Sequence, residues 1–264
     1  MKTFNALIID VESHMKSAHD KIIYNIGWVF GNAKDTKAPR QERDFFVKEF
    51  LPLNYWKHSF VDKDESSRTF GKRKFWKMDS RGHKAQQQAL AQPEKIKSWN
   101  EIMKLLSLDC SMVDGIGSYN WGFDSSAIDK TNRTLNHMGI IETFDSSKFF
   151  CLMDCYANHV INRNYFSFLD NLDEEDKHLF KSKSGKSDGY SAEIMVRYAK
   201  EHLEYIEAHE SLPDARVEFE LMEYFLAKYP QVFYEVFLGN PKFVSWTKIR
   251  DRLTAKDKLQ KRLI

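Results

Sequence analysis

Three places in this chain set acids or a histidine where they could hold a cation and move a proton. The first is Leu7-Ile8-Ile9-Asp10-Val11-Glu12-Ser13, an apolar run that ends on two acids one residue apart. On an extended backbone residues i and i+2 face the same side. Asp10 and Glu12 would then stand side by side, where their repulsion is costly unless a cation lies between them. A D-x-E after a strand is also an ordinary solvated turn. The second place is Asn120-Trp121-Gly122-Phe123-Asp124, which puts Asp124 at a strand-to-helix junction, where Asp equally serves as a plain N-cap. The third is His209-Glu210-Ser211-Leu212-Pro213-Asp214. Pro213 suits only the first turn of a helix, so the helix starts near Ser211 and His209 lies in the loop before it. Asp214 then falls in that first turn, where the helix dipole favours its ionised, metal-binding form. An acid after a serine cap also stabilises a helix without doing chemistry.

These residues need elements to bring them together. The β-branched run over 6–9 predicts a buried strand, followed by strands over 22–30 and 43–50 with a turn at Gly31-Asn32, which makes an antiparallel meander. Helical spacing follows over 71–90 and 94–106, with Pro93 between the two helices. A short strand over 111–119 leads to Asp124, and the helical composition of 127–138 stops at Gly139. A fifth strand over 148–153 runs into a helix near 154–160, where Cys151, Cys155 and His159 form a stripe at i, i+4 and i+8. No second pair of ligands at similar spacing accompanies it, so buried thiols fit it better than zinc. The polar stretch 162–188 reads as a mobile loop or insertion, and helical pattern resumes over 191–207.

A chain of 264 residues with 42% hydrophobic and 14% aromatic content buries a full core and is not a disordered segment. Asp10 interrupts the only early apolar run and no later run has the length of a membrane span, so a soluble, cytoplasmic protein with no membrane partner is expected. Three cysteines without a framework of spacings suit reduced thiols. The net charge is only +2, but its distribution is uneven. Arg68, Lys72, Arg73, Lys74, Lys77, Arg81 and Lys84 face one acid, Asp79, with Phe70, Phe75 and Trp76 among them, and a second basic stretch runs over 242–262. Such mixtures neutralise phosphates and stack on bases, and they also occur as solvated helix faces.

Taken together and in this order, the three motifs resemble those of the DEDDh (DnaQ-like) 3′-to-5′ exonucleases. That family is built on the ribonuclease-H-like fold. The resemblance covers most of residues 3–228, with Ile26-Gly27 where the family commonly has its second-strand glycine. It is more like the stand-alone enzymes, phage ones included, than like a domain inside a polymerase. It implies an α/β fold with a central mixed five-stranded sheet flanked by helices. By the same resemblance Asp10 bridges two divalent ions, Mg2+ or Mn2+, while Glu12 and Asp214 complete one site and Asp124 serves the other. His209 becomes the general base, and Ser13, His14 and Phe123 are contacts for the terminal nucleotide. The implied partners are 3′ ends of single-stranded DNA or RNA. An exonuclease domain over 1–230, with the insertion at 162–188, would carry a helical basic extension over 231–264. Ser13 replaces a common threonine and keeps the hydroxyl. An exoribonuclease of the same fold and a catalytically silent nucleic-acid-binding module are the rival readings.

Overall fold

In the computed structural model, which describes residues 3–15, 21–51, 59–61, 73–75, 80–135, 146–158, 165–181 and 189–239, strand β1 (Asn5–Met15) is paired along both edges. On one side β2 (Lys21–Asn32) runs antiparallel to it, from Asn5 opposite Asn32 to Met15 opposite Lys21. On the other, β7 (Gly115–Ser118) runs parallel, from Ala6 beside Gly115 to Ile8 beside Gly117. β3 (Gln41–Val47) completes the meander, β6 (Ile96–Lys97) pairs parallel with β3, and β8 (Phe149–Cys151) lies beyond β7. The order β6-β3-β2-β1-β7-β8 makes a mixed sheet of six strands.

Five strands were expected, and the sixth is the two-residue β6, which sits inside a stretch whose spacing reads as helical. Pro93 opens only a 3-10 turn there, Pro93–Lys95. Helix α2 (Trp99–Ser111) starts after Ser98, because a reciprocal cap fixes it: Glu101 N–H donates to the Ser98 hydroxyl and Ser98 N–H donates to the Glu101 carboxylate. A similar correction applies upstream. The helix expected over 71–90 is α1 (Ser80–Ala91), and Arg73–Phe75 instead forms β5, paired antiparallel with β4 (Ser59–Val61) in a separate two-stranded sheet. Pairing with β4 satisfies backbone groups that spacing alone assigned to a helix.

Alternation along β1 divides its side chains between the two faces of the sheet. Leu7, Ile9 and Val11 join the main core with Trp28 of β2, Trp99 and Leu106 of α2, and Ile128 of α3 (Trp121–Leu135). Ile8, Asp10 and Glu12 point to the other face. Trp28 Nε1 and Arg43 Nε both donate to the fully buried Asp109 carboxylate, which accounts for an acid in that core.

The chain divides into two compact units, one made of Met1–Phe149 with Ala208–Phe219, the other of Phe150–Glu207 with Glu220–Ile264. The second unit contains α4 (Leu152–Tyr156), α5 (Phe166–Asp170), α6 (Ala192–Lys200), the later turns of α7 (Ser211–Lys228) and α8 (Pro230–Phe237). Phe150 meets the buried Phe233 edge-on, and Tyr156 donates its hydroxyl to Leu221 O at 3.0 Å. Residues 165–181, expected as part of a mobile loop, are folded: Tyr165 is fully buried, lies edge-on to Tyr198 and donates to Gly189 O. The aromatics Tyr165, Phe168 and Phe180 supply a small core that the polar composition around them obscures. Residues 240–264, with the whole of the second basic stretch, lie outside the described residues. No helix among the described residues is long and apolar enough to cross a membrane.

Candidate active site

Asp10 and Glu12 occupy successive positions on one face of β1, as the i, i+2 spacing requires. Opposite them on β2 stand Gly27 and Asn25. The pairing register slips just after Glu12: Asn25 faces Glu12 and Ile23 faces Ser13, so Tyr24 is an extra residue on β2. The bulge turns Tyr24 so that its hydroxyl reaches Glu12 Oε2 at 3.4 Å, at the long limit of a hydrogen bond.

The third motif reaches these acids because β2 receives the start of α7. A Cβ on Gly27 would lie 2.5 Å from Leu212 N and 2.7 Å from Leu212 Cα, so only glycine lets the helix backbone come this close. Two residues away, Asn25 Oδ1 accepts from both the backbone N–H and the hydroxyl of Ser211, at 3.2 and 2.7 Å. Its amide donates in turn to Asp44 Oδ1 and Phe45 O, which fixes its orientation. Helix α7 thus begins at Ser211, Pro213 falls in its first turn, and Asp214 is buried there with Oδ2 accepting from Glu210 N–H. His209 precedes the helix with φ 54°, a left-handed backbone that few side chains adopt. Glu210 beside it is tied to α1 through Lys84 and Gln88, and the Lys84 ammonium and amide bonds hold its carboxyl below the usual range. Arg216 clamps Glu42 of β3 with two bonds of 2.8 and 2.6 Å and likewise holds that carboxyl low.

Asp124 arrives from β7. Helix α3 begins at Trp121, earlier than composition suggests, and Asp124 therefore sits within its first turn, not before it. It is buried, and Ser118 at the end of β7 donates its hydroxyl to Asp124 Oδ2 at 2.7 Å. The next residue, Tyr119, donates its backbone N–H to Glu218 Oε2 at 2.8 Å.

Burial pushes the Asp10 carboxyl well above the ordinary acid range, and repulsion from Glu218, Asp124, Glu12 and Asp214 raises it further. Its Oδ2 atom is shielded from solvent with no hydrogen-bond partner among the described residues. A buried acceptor surrounded by like charges is what a cation relieves, so the residues present fit a divalent metal. One ligand atom each of Glu12, His209 and Asp214 lies within 4.8 Å of the others. The largely carboxylate donor set suits Mg2+ or Mn2+.

Glu12, His209 and Asp214 are thus brought together, Asp10 stands on the same face of β1 as Glu12, and Asp124 follows the end of the neighbouring strand β7. The three expected nucleotide contacts are less uniform. Ser13 alternates onto the face of Ile9 and Val11, with its hydroxyl shielded and unbonded among the described residues. Phe123 packs against the main core with part of its ring. His14 lies in β1 opposite Ile22, and its side chain is outside the described residues. Cys155 is fully buried and its thiol is pushed up by burial, while His159 lies outside the described residues. Glu218 was not foreseen, although it stands four residues after Asp214 on a helix, and the D-x-x-x-E spacing places both acids on one face. The bond from Asn25 to Ser211 spans 186 positions and leaves no local signature.

The sequence matches no family model and no curated protein. Its fold does match solved structures. An exonuclease I from Methylocaldum szegediense superimposes with a TM-score of 0.54 at 13% identity, over 89% of this chain and 43% of that one. The zinc-bound complex of E. coli exonuclease I with single-stranded DNA gives 0.53 at 12% identity, over 89% and 43%. The chain thus spans less than half the length of these structures. The likeness shows the fold: an α/β architecture with a mixed six-stranded sheet flanked by helices, shared with these exonuclease I structures. It lends no support to a phage origin.

Proposed function

We propose that this chain is a metal-dependent 3′-to-5′ exonuclease that releases nucleoside monophosphates from the 3′ end of single-stranded nucleic acid, DNA before RNA. The observation that carries the reading is the convergence of Glu12, His209 and Asp214 within 4.8 Å, beside a buried Asp10 oxygen with no hydrogen bond. The preference for DNA rests on the likeness to a structure named for its complex with single-stranded DNA.

Asp10, Glu12, Asp124 and Asp214 would hold two divalent cations, Mg2+ or Mn2+, which when bound stabilise charge on the attacking and leaving oxygens of an in-line displacement. His209 serves as general base, because an imidazole accepts a proton near neutral pH and the geometry sets it among the acids. It takes the proton of the attacking water as the new oxygen–phosphorus bond forms and the bond to the 3′ oxygen of the preceding nucleotide breaks. Ser118 keeps the Asp124 carboxylate oriented through its hydroxyl, and Asn25 keeps the start of α7 against β2.

The test uses 5′-labelled single-stranded DNA and RNA of one sequence, with Mg2+, Mn2+ or a chelator, and compares the native chain with Asp10→Ala and His209→Ala. The expected result is a ladder that shortens from the 3′ end, faster on DNA, only with metal, and in neither variant. A faster ladder on RNA would make the chain an exoribonuclease. Binding without cleavage, surviving both substitutions, would leave a nucleic-acid-binding module.

A further inference from the structure

The end of β7 holds two carboxylates in succession, Asp124 through the Ser118 hydroxyl and Glu218 through the Tyr119 N–H. Both are buried. Glu218 lies one turn beyond Asp214 on α7, so a single side chain connects the strand that carries the Asp124 junction to the helix that carries Asp214. The Tyr119 N–H needs only an acceptor, and a glutamine carbonyl would serve it equally well. A carboxylate at this position instead adds a further buried acid next to the strand end that holds Asp124 and one helical turn from Asp214. Buried like charges cost free energy in the metal-free chain, and a cation offsets that cost.

We infer that Glu218 is a positioning residue of the metal site, whose charge, and not only its hydrogen bond to Tyr119, strengthens cation binding by Asp10, Asp124 and Asp214. The inference deepens the metal-dependent reading above and rests on it. Glu218 joins the end of β7, next to the serine that holds Asp124, to the helix that carries Asp214, and partners just outside a ligand set orient the ligands and tune their basicity.

Glu218→Gln separates charge from shape, because the amide oxygen still accepts from Tyr119 N–H. The measurements are Mn2+ binding, followed by the paramagnetic resonance signal of free Mn2+, and melting temperature in chelator and in Mn2+. The expected result for Glu218→Gln is a metal-free melting temperature no lower than that of the native chain, with Mn2+ affinity roughly tenfold weaker. Glu218→Asp, which keeps the charge, should retain more of the Mn2+-induced rise than Glu218→Gln does. A residue with a purely structural role would behave differently: Glu218→Gln would melt lower without metal or fail to fold, and the rise with Mn2+ would be unchanged. Either result overturns the inference. Native protein that takes up no Mn2+ overturns both this inference and the exonuclease reading. Native protein that binds Mn2+ but cuts neither DNA nor RNA removes only the exonuclease reading, and the Glu218→Gln affinity still decides the role of Glu218.

Discussion

His209 combines the role proposed for a base with a backbone that disfavours most side chains. Its φ of 54° places it in the left-handed region, in the loop that leads directly into α7. Residues held there carry local strain, and such strain gathers at functional sites. Two substitutions separate the backbone from the imidazole. His209→Ala and His209→Gly should both lower cleavage by roughly 10²- to 10⁴-fold, the usual loss when a general base is removed. The glycine variant should be the more stable of the two by about 1 kcal/mol, because it alone accepts this backbone freely. Denaturant melts read the second difference, and equal stabilities would show that the loop relaxes away from the left-handed region in solution. His209, Asp214, Asp10 and Glu12 stood out as candidates by residue type, order and family resemblance, and the closeness of Glu12, His209 and Asp214 agrees with that expectation. Their local motifs contain both chemistry and turn signals. Glu218 shows the limit of that kind of reading, since an acid four residues after another on a helix is ordinary until Tyr119 is seen to bind it.

The elements β2 and α7 convert separate motifs into one site, and the contact between them depends on a missing side chain. Gly27 faces Asp10 across the β1–β2 ladder and at the same time touches the backbone of Leu212. Gly27→Ala would place a methyl within 2.5 Å of Leu212 N, where the neighbour is main chain and cannot rotate aside. The first turn of α7 must then lift away, taking Asp214 with it. The expected cost is about 1–3 kcal/mol of stability and about 100-fold or more in cleavage, as for ligands misplaced by an ångström. A melt and a rate measured on the same preparation check both. The glycine itself was legible by family resemblance, but its reason lies in packing between positions far apart in sequence. Boundaries were read least well where a cap or a pairing overrode periodicity. The Ser98–Glu101 cap delays α2, and pairing with β4 removes Arg73–Phe75 from the expected helix. The bulge at Tyr24 had no sequence signal at all, because an extra residue in a ladder is defined only by its partner strand.

At the scale of the whole chain, the acids at the end of β1 link folding to pH and to metal. Asp10 has a folded-state pKa raised above the ordinary 3.8, so between that value and the raised one the folded chain binds more protons than the unfolded chain. Its contribution to stability therefore falls as pH rises through this window and is most unfavourable above it. Asp10→Asn, neutral at every pH, should melt above the native chain at pH 7 in chelator, and the gap should close as pH falls towards 3.8. Metal at about 100 times its dissociation constant adds about 2.7 kcal/mol to the native chain, or about 5–10 °C, and Asp10→Asn should lose most of that rise. Thermal melts across pH with and without Mn2+ read both trends, and a native chain that gains stability steadily up to neutral pH relative to Asp10→Asn would contradict them. The two compact units were not legible in the sequence, because the first is discontinuous: it closes only when Ala208–Phe219 returns to it. That return also governs timing. The hydrogen bond that docks Ser211 on Asn25 joins positions 186 apart, and a ribosome adding about 5–20 residues per second takes about 9–37 s to cover that distance. During this interval the nascent chain carries Asp10 and Glu12 but lacks His209, Asp214 and Glu218. A protein proposed to degrade nucleic acid is thus made in the presence of RNA with half of its site not yet synthesised.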